Sequence, residues 1–370
     1  MSRYVSSPHG DDGATPLVGV LLVNLGTPDD PTTGGVRRFL AQMLADPRIV
    51  ELPRLLWLPI LHGVILRIRP RRSARAYRKI WTSEGSPQLV IGKRIANALA
   101  TALPQAIAGF AAVELGMRYG NPSIPDALAR LRAAGARRIL VLPLFPQYAG
   151  ATTASAFDAV THELRRWRRI PAMNFIADYH DEPQYIAALA ASAREHWQAH
   201  GRAEHLLMSF HGMPRRCIEQ GDPYFSRCQR TAQLLAAALD LREGAWSLSF
   251  QSRFGRQEWL RPYTIDALSE LASRGVKHIE VICPGFSMDC LESLEEIALA
   301  AAETFKEHGG QRLDYIPALN ERADHVAFLG RLIAKHCAGW SDGAPEHAAE
   351  AHASAPRDGT QRPRIAGGTY

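Results

Sequence analysis

Several kinds of segment are missing from this sequence of 370 residues. It has no run of about 18 apolar residues, which argues against a membrane-spanning helix. The first 14 residues are polar and lack an apolar stretch, so we expect a flexible tail there and not a secretion signal. Gly-rich phosphate loops, the GxSxG turn of serine hydrolases and the HExxH motif of zinc proteases are also missing. The motif-defined nucleotide-binding, hydrolase and zinc-protease classes are therefore not indicated.

Cysteine is scarce, and no two of the five cysteines have CxxC spacing. An odd number of cysteines without such spacing is typical of reduced thiols in a cytoplasmic protein. Excess charge is also small, since the formal net charge is +6, and we expect no nucleic-acid partner. Arginines cluster at 67–75 and at 165–169. Such clusters are either solvated faces or sites for anionic ligands or lipid headgroups.

Apolar runs of strand length alternate with predicted helices of about ten residues or more. The run VGVLLVNL at 18–25 is one such strand, and similar runs lie at 139–144, 206–210 and 279–282. This alternation predicts βαβ units and parallel sheets. Pro53 and Pro59 should interrupt any helix in the stretch that is apolar first and arginine-rich last, at 52–75.

The two halves of the chain repeat one pattern. With an offset of 140 residues, the first half matches the second at Asp126/Asp266, Ala127/Ala267, Leu128/Leu268, Leu131/Leu271, Gly135/Gly275, Ile139/Ile279 and Val141/Val281. Gly26 and Pro28 match Gly212 and Pro214 with an offset of 186, so the first half carries about 46 extra residues. We therefore predict an α/β fold of two similar domains with parallel sheets and an active-site cleft between them. The predicted limits are a tail at 1–14, domains at 15–180 and 181–338, a lip insertion at about 47–92 in the first domain, and a disordered tail at 339–370.

His211 ends the apolar run at 206–210 and is followed directly by Gly212. The first half has Leu25 beside Gly26 at the corresponding place, so the imidazole is an addition to the second half. Ligands of open parallel sheets bind beyond the carboxyl ends of the strands, where this residue is predicted to lie. Taken alone, a turn histidine is equally consistent with no chemical role.

Asp289, Glu292 and Glu296 follow the strand at 279–282 with a spacing that places them on one face of a helix. One interpretation is a solvated acidic face at a helix N-terminus, which the helix dipole favours. The other is a track of oxygen ligands or proton carriers that leads to His211. Imidazole and carboxylates suit both a transient divalent metal and proton removal near neutral pH.

Segments across 18–337 resemble the ferrochelatase family, whose members insert ferrous iron into protoporphyrin. The most specific segments are LLMSFHGMP at 206–214 and EQGDPY at 219–224, and others are NLGTP at 24–28, GSP at 85–87, RY at 118–119, PQY at 146–148, QSR at 251–253 and LESL at 291–294. The resemblance implies a chelatase-like fold of two Rossmann-like domains. It implies protoporphyrin IX and Fe²⁺ as substrates of haem biosynthesis, with protohaem and two protons as products.

The resemblance also implies roles for individual residues. His211 and Glu292 would be the iron ligands or proton acceptors, and Glu296 and Asp289 would continue the acidic path. The implied porphyrin contacts are Arg69, Tyr77, Ser86, Arg118, Tyr119 and Leu25. The segment at 52–66 would form an apolar lip over the cleft that also touches a membrane.

Two departures from the family pattern qualify these expectations. Cys290 stands where some members have a histidine, two residues before the site glutamate. No cysteine follows Cys337, so we expect no iron–sulfur cluster and no other tightly bound cofactor. We also expect a cytoplasmic monomer with peripheral membrane contact. A cobalt or nickel chelatase for another tetrapyrrole, and a tetrapyrrole carrier without catalysis, remain as alternatives.

Overall fold

Two parallel sheets form the framework of the protein. The structure is a computed structural model that describes residues 4–5, 16–255 and 257–341. The strands are β1 Leu17–Thr27, β2 Phe110–Gly120, β3 Ala136–Pro143, β4 Ala172–Phe175, β5 His205–His211, β6 Trp246–Gln251, β7 His278–Ile282 and β8 Arg312–Ile316. The first sheet has the order β2-β1-β3-β4 and the second β6-β5-β7-β8.

The two sheets share one topology, because the second strand of each half pairs with the first and the first with the third. All the ladders between these strands are parallel. β1 and β5 are central strands, and a strand covered on both faces needs the continuous apolar run that each of them has. The predicted α/β fold of two similar parallel-sheet domains is confirmed.

Helices cover both sheets. They are α1 Thr33–Leu44, α2 Arg54–Ile60, α3 Leu66–Ile80, α4 Pro87–Ala102, α5 Ile124–Ala133, α6 Ser155–Leu164, α7 Pro183–His200, α8 Arg215–Glu219, α9 Tyr224–Ala238, α10 Thr264–Ser273, α11 Ala302–Glu307 and α12 Ala323–Ser341. π-Helical segments lie at Leu61–Ile65, Gly150–Ala154 and Glu292–Ala301, and a short 3₁₀ turn at Leu103–Gln105. Among the helices of the described ranges, none is both long and apolar enough to cross a bilayer.

α5 shows how local sequence sets a helix in this fold. Ser123 caps its start, since the hydroxyl oxygen accepts a hydrogen bond of 3.2 Å from the amide of Asp126. Gly135 follows its end with a φ of 83°, a left-handed conformation that glycine adopts without strain. Leu128 and Leu131 are fully buried against the sheet. The repeated apolar residues Ala127, Leu128 and Leu131 of α5 thus have buried counterparts in Ala267, Leu268 and Leu271 of α10.

The lip insertion is more continuous than its prolines predict. Pro53 precedes α2, as expected, but Pro59 lies inside that helix and Pro70 lies inside α3. The π-helical segment Leu61–Ile65 follows α2 directly, and α3 begins at the next residue. The stretch is therefore not one regular α-helix, as its prolines predict, although the departure from α-helical geometry begins at Leu61 and not at Pro59.

The chain ends depart from the predicted tails where the structure describes them. The amide of Val5 donates to the carbonyl of Arg166 at 2.8 Å, so this residue is attached to the first domain. α12 continues through Ser341, beyond the predicted start of the C-terminal tail. The rest of both predicted tails lies outside the described residues.

α12 also joins the two halves. It packs against α7 and, in the first domain, against α4 and β3. The side-chain amide of Asn174 donates to the carbonyl of His336 at 2.8 Å. Ile95 and Leu140 of the first half belong to the same apolar core as Leu329 and Ile333 of α12. The last helix of the second half therefore returns to the first and helps to fix the domains against each other.

Candidate active site

His211 is the last residue of β5 and pairs in register with Gln251, the last residue of β6. Its Nδ1 lies 2.7 Å from the carbonyl oxygen of Gly212. A carbonyl only accepts, so Nδ1 carries a hydrogen, and in the neutral imidazole the lone pair is then on Nε2. The side chain is half-buried. Tyr224 further fixes this strand end, because its hydroxyl donates to the carbonyl of His211 at 3.0 Å.

Gly212 is required by close packing at this strand end. A Cβ atom built on Gly212 would lie 2.7 Å from the carbonyl oxygen of Gln251 and 3.0 Å from the ring of Trp259. The amide of Gly212 also donates to that carbonyl at 2.7 Å. Glycine at this position thus allows β5 to turn directly after the histidine while it remains attached to β6.

Glu292 and Glu296 lie on the π-helical segment that faces this strand end. The main-chain carbonyl of Glu292 accepts a hydrogen bond of 2.8 Å from the side-chain amide of Gln251. The Glu296 carboxylate accepts from both the amide and the hydroxyl of Ser252. Burial raises the pKa of Glu296, and Glu292 raises it further, whereas the hydrogen bonds from Ser252 and the charge of His211 lower it. His211 and Glu292 are therefore each close enough to Glu296 for their charges to change its pKa.

Asp289 is not on a helical face with these two glutamates, as its spacing predicts, because it precedes the helix. Its carboxylate is buried and accepts hydrogen bonds from Ser293 Oγ at 2.8 Å, Tyr315 OH at 2.6 Å and Asn320 Nδ2 at 2.7 Å. These bonds fix the loop that leads into Glu292. The part of Asp289 in an acidic path stays a prediction.

The first domain contributes Arg69 and Tyr77 from α3. Burial raises the pKa of the Tyr77 hydroxyl, and the negative charge of Glu292 adds to this shift. Burial lowers the pKa of Arg69, whereas Glu292 raises it. Both side chains therefore interact with Glu292, which places the site between the two domains.

Ser86 and Leu25 lie at the edge of the same group. The hydroxyls of Thr27 and Ser86 are hydrogen bonded at 2.8 Å, and Thr27 also interacts with Tyr77. Leu25 is half-buried and belongs to an apolar cluster that also contains Leu291. By the register of the two sheets, Leu25 occupies the position in β1 that His211 occupies in β5, although β1 continues for two more residues.

Arg118 and Tyr119 are bound elsewhere. Arg118 forms an ion pair with Asp46 and donates to the Ser155 hydroxyl at 2.7 Å. The Tyr119 hydroxyl donates to Asp46 at 2.7 Å, and only 1% of this residue is exposed. Hydrogen bonds from Ser155 and Tyr119 lower the pKa of Asp46 although burial opposes the shift. The polar atoms of both residues are thus bound by Asp46 and Ser155, while Tyr119 belongs to the same apolar cluster as Tyr77 and Leu25.

Gln251, Ser252 and Phe254, at the end of β6 and just after it, were not predicted as site residues. Gln251 and Ser252 hold Glu292 and Glu296, and the ring of Phe254 lies 4.4 Å from Cζ of Arg69. The sequence feature that could have indicated these residues is the segment QSRFG, which comes at the end of a buried strand as HGMP does. Both segments leave the carboxyl ends of neighbouring strands, where ligands of parallel sheets bind.

The site has few preformed metal ligands. Within the described ranges, no three His, Cys, Asp or Glu side chains are arranged to hold a metal ion. Cys290 is buried, and burial raises the pKa of its thiol well above the usual value. The thiol therefore stays protonated near neutral pH, which disfavours it as a metal ligand.

The two-domain fold also occurs in a protein of known structure. SirB from Bacillus subtilis, solved with Fe³⁺, has the same fold with a TM-score of 0.51 and 13% identity, covering 88% of this chain and 98% of that one. The ferrochelatase family model matches residues 17–337. The chain belongs to the ferrochelatase family.

Curated ferrochelatases match almost the whole chain. That of Methylococcus capsulatus is 54% identical over 320 residues, which cover 86% of this chain and 97% of the relative. That of Thioalkalivibrio sulfidiphilus is 51% identical over 343 residues, or 93% of each chain, and that of Aromatoleum aromaticum is 49% identical over 367 residues, or 99% of each. The chain is thus a metal chelatase of haem biosynthesis that inserts iron into a porphyrin, as the sequence motifs predict.

Proposed function

We propose that this chain inserts Fe²⁺ into protoporphyrin IX between its two domains, with His211 and Glu292 acting at the centre of the macrocycle. The observation that carries this proposal is the grouping of His211, Glu292 and Glu296 at one strand end, opposite Arg69 and Tyr77 of the other domain. A macrocycle placed between the domains would face the imidazole and carboxylates of the second domain on one side. On the other side it would face Arg69 and Tyr77 of the first domain.

Iron insertion releases two protons from the pyrrole nitrogens as the metal enters. Nε2 of His211 is available to accept one of them, because Nδ1 is committed to the Gly212 carbonyl. Glu292 is half-buried, and like His211 it interacts with Glu296, so we propose that it accepts the second proton or binds the metal. Burial raises the pKa of Glu296, so this carboxylate takes up a proton more readily than an exposed one. We infer that protons pass from Glu292 to Glu296 on their way to solvent.

The metal is a substrate in this proposal. His211 and Glu292 together supply an imidazole nitrogen and carboxylate oxygens, which suit a first-row divalent ion. Few protein ligands favour release of the metal, since the four porphyrin nitrogens complete its coordination. We propose that no iron–sulfur cluster or other resident cofactor takes part. The support is in the sequence, whose last cysteine is Cys337.

First-domain side chains would hold the porphyrin. Arg69 offers a guanidinium to a carboxylate of the substrate. Tyr77, Ser86 and Leu25 would line the first-domain side. For Arg118 and Tyr119, a role in porphyrin binding stays a prediction without support from the geometry, because Asp46 and Ser155 already bind their polar atoms.

The lip would contact a membrane surface. Trp57 and Leu61 face the first domain and are buried. The opposite face exposes large apolar side chains, which are Leu55 at 92%, Leu56 at 66%, Ile60 at 46%, Val64 at 49% and Ile68 at 69%. The exposed Arg67, Arg71, Arg72 and Arg75 follow. An apolar face beside basic residues suits anionic lipid headgroups. We propose a cytoplasmic monomer that binds the membrane peripherally through this face.

Anaerobic incubation with ferrous iron and protoporphyrin IX tests the proposed function. We expect the absorption spectrum of the porphyrin to be replaced by that of haem. Faster insertion of Co²⁺ or Ni²⁺ into another tetrapyrrole would favour a different chelatase. Tight porphyrin binding without insertion of any of these metals would identify a carrier instead.

A further inference from the structure

Phe254 connects the two sides of the active site. It lies after β6 in the second domain, and the centroid of its ring is 4.4 Å from Cζ of Arg69 on α3 in the first domain. This distance is typical of a cation–π contact. The phenylalanine is 41% exposed, so its ring has not been placed there by burial in the core.

Arg69 has a second neighbour that competes for its guanidinium. The negative charge of Glu292 raises the pKa of Arg69, so the two groups interact. Within the part of the chain that the structure describes, Arg69 nevertheless forms no ion pair with Glu292. The guanidinium stacks on the ring of Phe254 instead.

The contact of Arg69 with Phe254, in place of an ion pair with Glu292, leaves the Glu292 carboxylate free for metal insertion. An arginine beside a half-buried carboxylate readily forms two parallel hydrogen bonds to it. Such a pair would occupy the Glu292 oxygens that metal insertion needs. It would also withdraw the guanidinium from any carboxylate on the substrate.

We propose that Phe254 is a positioning residue for iron insertion. Its ring holds the guanidinium of Arg69 at the edge of the site, away from Glu292 and directed toward a carboxylate group of the porphyrin. This inference rests on the proposed function, in which Arg69 contacts the substrate.

Substitution of Phe254 by leucine and by tyrosine tests the proposal. Phe254→Leu keeps an apolar side chain but removes the π face, whereas Phe254→Tyr keeps it. We expect KM for protoporphyrin to rise about two- to five-fold in Phe254→Leu, the equivalent of about 0.5–1 kcal/mol, with little change in kcat. Phe254→Tyr should retain the wild-type KM. A purely structural role would not give this dependence on the aromatic ring.

A double-mutant cycle identifies Arg69 as the group that Phe254 acts through. In an Arg69→Met background, Phe254→Leu should have no further effect on KM. An unchanged KM in the single leucine variant, a tyrosine variant as weak as leucine, or an undiminished effect without Arg69 would overturn the proposal.

Direct porphyrin binding keeps this test separate from the proposed function. The Kd for protoporphyrin, measured by fluorescence without iron, should weaken by the same factor in Phe254→Leu. If the wild-type protein binds porphyrin but makes no haem, the proposed function fails while the Kd comparison still decides the role of Phe254. Phe157→Leu is the matched control, because Phe157 is 48% exposed and its ring packs edge-to-face against Phe175, away from Arg69. Thermal unfolding of each variant shows whether it is folded.

Discussion

Gln251 donates a hydrogen bond of 2.8 Å from its side-chain amide to the main-chain carbonyl of Glu292. The same residue pairs with His211 in the parallel ladder between β5 and β6. One buried glutamine thus sets the position of the π-helical segment relative to the histidine. Because His211 and Gln251 end neighbouring strands, the backbone ladder fixes the point from which the glutamine side chain reaches the segment of Glu292.

His211 and Glu292 should both be needed for iron insertion. We expect His211→Ala and Glu292→Gln each to lower the rate of haem formation by about 10²- to 10⁴-fold, since each removes a proton acceptor or metal ligand. The measurement is the initial rate under anaerobic conditions. His308→Ala and Glu303→Gln are exposed controls of the same types and should keep the wild-type rate. Near wild-type turnover in either site variant would show that its assigned role is wrong.

Ser252 should set the pH at which Glu296 ionises. Its hydrogen bonds to the carboxylate lower the pKa of Glu296, so Ser252→Ala should raise that pKa. A carboxylate accepts protons only when ionised, and activity is lost as the pH falls through its pKa. The acid limb of the kcat profile should therefore move up by about one pH unit. Ser273→Ala, at an exposed helix end, is the control. An unmoved acid limb would remove Glu296 from the proton path.

Gly26→Ala should destabilise the first domain strongly. Gly26 has a φ of 109°, and a Cβ atom there would lie 1.8 Å from the carbonyl oxygen of Tyr119. The backbone strain alone costs about 1–3 kcal/mol, and the clash adds to it. Gly244→Ala is a matched control, with a φ of 81° and no atom within 4 Å of its Cβ. Thermal unfolding should show a clearly larger loss for Gly26→Ala, and equal losses would contradict the argument.

The lip should bind membranes through its exposed apolar face. Leu55→Ser combined with Leu56→Ser should reduce flotation with vesicles that contain anionic phospholipids, because both side chains are mainly exposed. Thermal stability should hardly change, since neither residue packs in the core. Ile170→Ser removes an equally exposed apolar residue outside the lip and should leave flotation unchanged. Equal flotation of the double variant and the wild-type protein would exclude the proposed contact.

His325 should make the protein less stable in acid. Burial lowers its pKa from 6.5 to about 4, and its Nδ1 lies 2.7 Å from the carbonyl of Asn320. The unfolded chain therefore binds a proton below pH 6.5 that the folded protein resists until about pH 4. Stability from this group is present above pH 6.5 and is lost as the pH falls, by at most about 3 kcal/mol.

Replacement of this histidine separates its effect from that of other groups. We expect His325→Gln to be less stable than the wild-type protein at pH 7 but to lose less stability between pH 6.5 and pH 4.5. Denaturant unfolding at several pH values measures both slopes. Parallel stability curves for the two proteins would show that His325 does not titrate in this way.

The sequence predicted the parts of the fold that depend on local pattern. The apolar runs at β1 and β5 indicate central strands because both faces of such strands must be covered. The repeat from Asp126 to Val141 predicted two domains of the same topology, because equal patterns bury equal faces. His211 could be located at a strand end from its neighbours Gly212 and Pro214 alone.

Other expectations failed because they assumed regular α-helical geometry. Asp289 was placed with Glu292 and Glu296 by the 3.6-residue period, but the helix begins after it and is π-helical. The stretch at 52–75 is not one regular helix, as expected, but the departure from α-helical geometry comes at a π-helical segment after Pro59. Spacing in the sequence does not reveal π-helical turns, because they depend on how neighbouring segments pack.

The sequence by itself determined the class of fold and the family, since both rest on residue types at fixed local spacings, and it indicated His211 and Glu292 as the pair to test. Only the tertiary structure decided which distant groups meet. It placed Arg69 on Phe254, Ser252 on Glu296, and Arg118 and Tyr119 on Asp46. Such contacts join residues far apart in the chain, and they depend on packing within and between the two domains, which no local pattern encodes.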